Sequence, residues 1–202
     1  MVQVWLWSDI LWAMKRRKLR IGFDFDGVIA YSPTRLIRAP ISWFKRNILK
    51  KKGVSFFVPT NKYQKLVWAF IFGPSVIPEK GAYLIPSFAK INKLYLITGR
   101  FDFLETSMKK WLTKQCLIDC FDTLYINRDR QQPHEFKKIL INKLKLDYFI
   151  EDNWDAIQFL NKNCPKTKIL WIYNIVDRNI NYKYKYPHLE SALNYVQKEN
   201  IV

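Results

Sequence analysis

From residue 19 onward, short apolar runs alternate along the chain with segments whose apolar positions fall three and four residues apart. The runs at 19–25, 94–97, 123–126, 148–150 and 169–173 are almost continuously apolar, the pattern of strands covered on both faces. Between them, 103–114 sets Leu104, Met108, Trp111 and Leu112 on one helical face, and 135–145 sets Phe136, Ile139, Leu140 and Leu144 on another. Residues 154–163 carry Ile157 and Leu160 at helical spacing, and 189–198 closes the pattern with Leu189, Leu193 and Val196. This alternation predicts an α/β fold, a Rossmann-like three-layer sandwich around a central parallel sheet with right-handed crossovers.

One stretch breaks the rhythm. Between the first two runs lie far more residues than a single crossover helix needs. We expect a small, mostly helical insertion at 31–85, with helical periodicity at 35–51 and 63–72, and a core domain made of 19–30 and 86–202. Residues 31–80 hold ten Lys and Arg against the single acid Glu79, and aromatics such as Trp43, Phe44, Trp68 and Phe70 are interleaved with them.

Composition sharpens this reading. A chain of 202 residues that is 49% hydrophobic and 16% aromatic can bury a sizeable core. Its net charge of +17 favours anionic partners: phosphorylated metabolites, an acidic membrane surface or nucleic acid. No nucleic-acid motif is recognisable, so a small phosphorylated substrate is the expected partner. Cys116, Cys120 and Cys164 are odd in number and lack metal-site spacing, which points to buried thiols in a reducing, cytoplasmic setting. The N-terminal segment, 1–18, joins a Trp-rich apolar stretch to Lys15, Arg16, Arg17 and Lys18. It is too short to span a bilayer, and its charge follows the apolar part rather than preceding it as in a secretory signal. It either packs on the domain, lies peripherally in a membrane interface, or follows a misassigned start.

Ligands of open α/β sheets bind beyond the carboxyl ends of the strands. The first run ends in Asp24 and Asp26, the second in Thr98, Gly99 and Arg100, and the fourth in Glu151, Asp152 and Asn153. Two carboxylates at i and i+2 leave a strand on the same side, and a third from a neighbouring strand makes a cluster that calls for a hard cation such as Mg²⁺. Lys137 and Lys138 precede the fourth run on a helix.

These residues carry a family resemblance. IGFDFDGVI (21–29), LITGR (96–100), Lys137 and YFIEDNWD (148–155) resemble, in order, the four signatures of the haloacid dehalogenase (HAD) superfamily. The resemblance implies a magnesium-dependent phosphohydrolase. Asp24 would be the nucleophile that forms an aspartyl-phosphate, and Asp26 the general acid and base. Thr98, Gly99, Arg100, Lys137 and Lys138 would bind the phosphorylated substrate, with either lysine as the signature one. Asp24, Asp152 and the backbone of Asp26 would hold Mg²⁺. Glu151 is expected to support the site, Asn153 to cap a helix, and Asp155 either to support the metal or to begin that helix.

The insertion corresponds to a small cap in this superfamily. Residues 97–112 and 150–153 are similar to the 5′-nucleotidase branch, including deoxyribonucleotidases, which implies nucleoside monophosphates as substrates. Two alternatives stand beside this reading: a phosphatase of membrane-associated lipid or isoprenoid phosphates, suggested by the apolar run 66–72, and a fold-retaining binding module without turnover.

Overall fold

A six-stranded sheet in the order β5-β4-β1-β6-β7-β8 organises the computed structural model, which describes residues 17–31, 59, 61–72 and 77–200. Its strands are β1 (Arg20–Phe23), β4 (Lys93–Phe101), β5 (Thr123–Asn127), β6 (Tyr148–Glu151), β7 (Lys168–Ile172) and β8 (Lys185–Tyr186). Every pairing within it is parallel. A second, two-stranded ribbon pairs β2 (Ala30–Tyr31) antiparallel with β3 (Ile77–Pro78).

The helices are α1 (Lys62–Phe72), α2 (Ile85–Ile91), α3 (Glu105–Lys114), α4 (Pro133–Leu144), α5 (Trp154–Asn163) and α6 (Leu189–Glu199). Strand residues alternate between the two faces of the sheet. Ile21, Phe23, Leu94, Leu96, Ile150 and Leu170 face one cluster, which Met108 of α3 and Leu193 of α6 complete. Ile97, Phe149, Ile169 and Trp171 face the other, which Leu140 of α4 and Leu160 of α5 complete. Each fully buried side chain of this size contributes about 1.5–3 kcal/mol through burial, so the two clusters dominate the fold's stability. Gly22 sits in the middle of β1 because a Cβ there would lie 2.5 Å from Leu146 and 2.7 Å from Phe149.

The expected three-layer parallel α/β sandwich is therefore the observed fold, and all five expected strands are present. Four elements were not expected. The helix α2 is only 7 residues long, and β2, β3 and β8 have 2 residues each, too few for periodicity to show. Ile139, expected to face inward, is half exposed on α4. Ala82 and Ile85, at the end of the expected insertion, lie in the first core cluster. The insertion's expected helix at 35–51 lies outside the described residues, as does all of the N-terminal segment before Arg17. The helix expected at 63–72 is α1. Among the described residues no helix is long and apolar enough to cross a membrane.

The chain runs from β1 outward to β4 and β5, then returns to the other side of β1 for β6, β7 and β8. The order reverses at β1, and the crevice at such a switch point is where ligands of these sheets bind.

Candidate active site

Three strands end at this crevice. Asp24 follows β1 directly, Thr98 and Arg100 lie near the end of β4, and Glu151 is the last residue of β6 with Asp152 next. The pairing of β4 with β5 shifts register between Thr98 and Phe101, the kind of irregularity that re-aims side chains at a sheet rim.

Asp24, Asp26, Thr98, Arg100, Lys137, Glu151 and Asp152 are all buried. Burying that many polar groups is costly unless each is paired. Lys137 Nζ lies 2.9 Å from Asp24 Oδ2 and 2.6 Å from Glu151 Oε2. Glu151 Oε1 accepts from the backbone N–H of Asp152 (3.2 Å) and of Asn153 (3.1 Å), which fixes the carboxylate that holds Lys137. The backbone carbonyl of Asp152 accepts from Trp171 Nε1 at 3.1 Å, anchoring the Asp152 backbone from the neighbouring strand.

Carboxylate oxygens of Asp24, Glu151 and Asp152 lie within 4.8 Å of one another. Ionised, the three carry three negative charges against the single ammonium of Lys137, a deficit that a divalent cation would balance. The donors are all oxygens, the set that Mg²⁺ prefers. Burial pushes the Asp24 carboxyl up to about 7; Lys137 opposes the shift, while Glu151 and Asp26 add to it. Burial alone would lower the Lys137 ammonium, but Asp24 and Glu151 outweigh it and raise the group above an ordinary lysine.

Gly27 has φ of +77°, a left-handed conformation that glycine adopts freely. A Cβ at this position would stand 2.1 Å from Asp152 Oδ2. The turn after β1 thus lets backbone and Asp152 close on each other only without a side chain.

Asp26 is engaged differently from Asp24. Arg100 donates from Nε (2.8 Å) and Nη2 (2.7 Å) to its two carboxylate oxygens in a buried fork. The guanidinium also lies 4.5 Å over the Phe25 ring. Thr98 Oγ1 accepts from the Arg100 N–H at 3.1 Å. So Arg100, expected to contact substrate, is engaged with Asp26.

The expected set is brought together in large part. Asp24, Lys137 and Asp152 converge, Arg100 stands beside Asp26, and Thr98 is tied to the Arg100 N–H with Gly99 between them. Lys138 does not join them: it pairs with Glu135 on its own helix and lies 5.6 Å over the Phe159 ring. Of the two candidate lysines, Lys137 is the one on Asp24, because one residue on a helix turns the side chain by about 100°. Asn153 caps α5 as expected, its Oδ1 accepting from the N–H of Asp155 (2.9 Å) and Ala156 (3.3 Å), and Asp155 stands in the first helical turn. Sequence reasoning did not single out Trp171, and its apolar run gave no sign of a polar duty. It also missed the ion pairs along the adjacent rim, Arg128 with Glu105 (2.8 Å) and Arg130 with Asp102 (3.3 Å).

Several solved structures with this fold are HAD hydrolases. The chain is similar to the HAD-hydrolase YfnB from Bacillus subtilis bound to magnesium, with 13% identity and a TM-score of 0.58 over 90% of this chain and 99% of that one. It is similar to CbbY from Rhodobacter sphaeroides in complex with phosphate, with 12% identity and a TM-score of 0.57 over 86% and 96%. A 2-haloacid dehalogenase from Pseudomonas syringae aligns with 11% identity and a TM-score of 0.53 over 91% and 100%. At such identities the likeness concerns the fold. No protein-family model matches the chain, and no curated protein matches it significantly.

Proposed function

We propose that this protein is a magnesium-dependent phosphomonoesterase of the HAD type, with Asp24 as nucleophile. The observation that carries the reading is the Asp24 carboxylate, held 2.9 Å from a buried ammonium and grouped with two further carboxylates at the switch point of the sheet. Similar folds include a protein bound to magnesium, one in complex with phosphate and a dehalogenase, so the fold alone does not select the chemistry. The second carboxylate, Asp26, supports phosphate chemistry, since by resemblance it is the group that protonates a departing alcohol.

In the proposed reaction an Asp24 oxygen bonds to phosphorus as the phosphorus–oxygen bond to the leaving alcohol breaks. Asp26, released from the Arg100 fork and protonated, gives its proton to that alcohol. A water then attacks phosphorus, Asp26 takes its proton, and the bond to Asp24 breaks, which returns the enzyme and frees phosphate. Lys137 holds Asp24 in place and offsets the repulsion between carboxylate and phosphate. Thr98, whose Oγ1 already accepts from Arg100, offers its O–H to a phosphoryl oxygen. Asp24 and Asp152, with the Asp26 backbone, would hold Mg²⁺, which supplies positive charge to the phosphoryl group when bound. Glu151 would fix Lys137 from behind.

Within this class, the resemblance of 97–112 and 150–153 to the 5′-nucleotidase branch puts nucleoside monophosphates first in a substrate screen. The structural neighbours add no support for that branch. The test is turnover of para-nitrophenyl phosphate with Mg²⁺. Activity that chelation removes and Asp24→Asn abolishes supports the reading; an Asp24→Asn variant with wild-type turnover overturns it.

A further inference from the structure

At the opposite end of the sheet from the carboxylates, the amino ends of β1, β6 and β7 border a cavity of about 720 Å³. Five cationic side chains line it, Arg17, Lys18, Arg20, Lys145 and Lys166, against one acid, Asp147. They come from three separate segments: the entry to β1, the end of α4 and the turn before β7.

Cations at helix C-termini have a plain structural use, because the last carbonyls carry about half a negative charge per helix. Two helices, α4 and α5, end near here. Arg20 meets that use directly, donating from Nη1 to the Leu144 carbonyl at 3.0 Å. Arg17 pairs with Asp147, which also accepts from the Arg20 N–H at 2.8 Å. Among the described residues, Lys18, Lys145 and Lys166 have no ion pair, and all three are exposed. After the acid and both helix ends are set against the five cations, about three positive charges remain around one cavity.

Lys145 adds a second observation. It caps α4 with φ of +50°, the left-handed position where helices usually place glycine. The chain keeps a long cation there against its backbone preference.

We propose that this cavity is a second, non-catalytic anion site that binds phosphate groups carrying more than one negative charge. The site is independent of the proposed catalytic activity. Such groups are offered in solution by phosphorylated small molecules and at a membrane by acidic headgroups. Arg17 and Lys18, which line the cavity, follow in the sequence on Lys15, Arg16 and a Trp-rich apolar stretch of a composition suited to an interface.

The test measures inorganic pyrophosphate binding by calorimetry, in chelator and low salt, alongside flotation with vesicles containing phosphatidic acid, whose phosphomonoester headgroup can carry two negative charges. Wild type, Asp24→Asn, Lys145→Glu/Lys166→Glu and Lys145→Gly/Lys166→Gln proteins are compared. Binding should survive Asp24→Asn and fall roughly thirty-fold or more in the charge-reversed variant, since each lysine is worth about one factor of five against anionic phosphate. The glycine variant should melt no lower than wild type yet bind more weakly, which separates the site from a structural role. Its turnover of para-nitrophenyl phosphate should stay unchanged. Loss of pyrophosphate binding in the lysine variants identifies a soluble ligand, and loss of flotation alone identifies headgroups; either supports the proposal. Absence of both in wild type, or binding indifferent to the lysine changes, overturns it.

Discussion

Replacing Lys137 with Met removes one ammonium that serves two buried carboxylates, Asp24 at 2.9 Å and Glu151 at 2.6 Å. Breaking a buried ion pair by deleting one partner costs about 3–5 kcal/mol, because the other charge is stranded. Here proton uptake limits the loss, since Asp24 is already pushed up to about 7 and takes a proton readily once its cation is gone. The expected loss at neutral pH is therefore near the lower bound, ~3 kcal/mol. At about 2–4 °C per kcal/mol for a domain of this size, the midpoint should fall by roughly 6–12 °C. Lys138→Met is the matched control: its partner Glu135 is three residues away on the same helix, a pairing worth about 0.2–0.5 kcal/mol. Thermal melts followed by tryptophan fluorescence, in chelator at neutral pH, measure both. Equal melting of the two variants would refute the assignment of Lys137 as the buried counter-ion. In turnover, Lys137→Met should lose about 10²–10³-fold, the usual cost of removing one preorganised charge contact.

Other outcomes follow from the same geometry. Asp24 has its carboxyl raised from 3.8 to about 7 by burial, so its contribution to folding is complete below the lower value and is lost as pH rises through the higher one. The metal-free protein should melt lower at pH above neutral than under mildly acidic conditions. Added Mg²⁺ should reverse that trend, with about 2.7 kcal/mol of stabilisation at a concentration 100 times Kd; a Mg²⁺ effect that is independent of pH would contradict it. Gly27→Ala places a methyl group against Asp152 and should raise the Mg²⁺ concentration needed for half-maximal activity by about 10–100-fold, read from a metal titration. Asp26→Asn should lower turnover by about 10²–10⁴-fold, most on substrates with poor leaving groups, which a series of aryl and alkyl phosphates measures.

The sheet was legible because β1, β4, β6 and β7 are covered on both faces and so read as unbroken apolar runs. Asp24, Thr98 and Asp152 were legible because they sit where such runs stop. What escaped was set by tertiary contact. Neither β8 nor the β2–β3 ribbon has enough residues for a period. The inward side of α4 admits Leu140 and Ile141 but leaves Ile139 half exposed, a matter of how the helix is rotated on the sheet. Spacing could not tell Lys137 from Lys138, because the choice depends on that same rotation. Nor does the sequence show that Arg100 grips Asp26: an Arg after Thr-Gly at a strand end suits a phosphate equally well, and the fork onto the neighbouring carboxylate forms only once β1 and β4 are side by side in the sheet.

The proposed reaction passes through a covalent bond between Asp24 and phosphorus, which rapid acid quenching during turnover would trap. Protein quenched with a phosphoryl-labelled substrate and Mg²⁺ should carry one phosphoryl group, found by peptide mass mapping at Asp24 and absent from Asp24→Asn. Steady turnover with no labelled Asp24 at any quench time, or label on another residue, would contradict it.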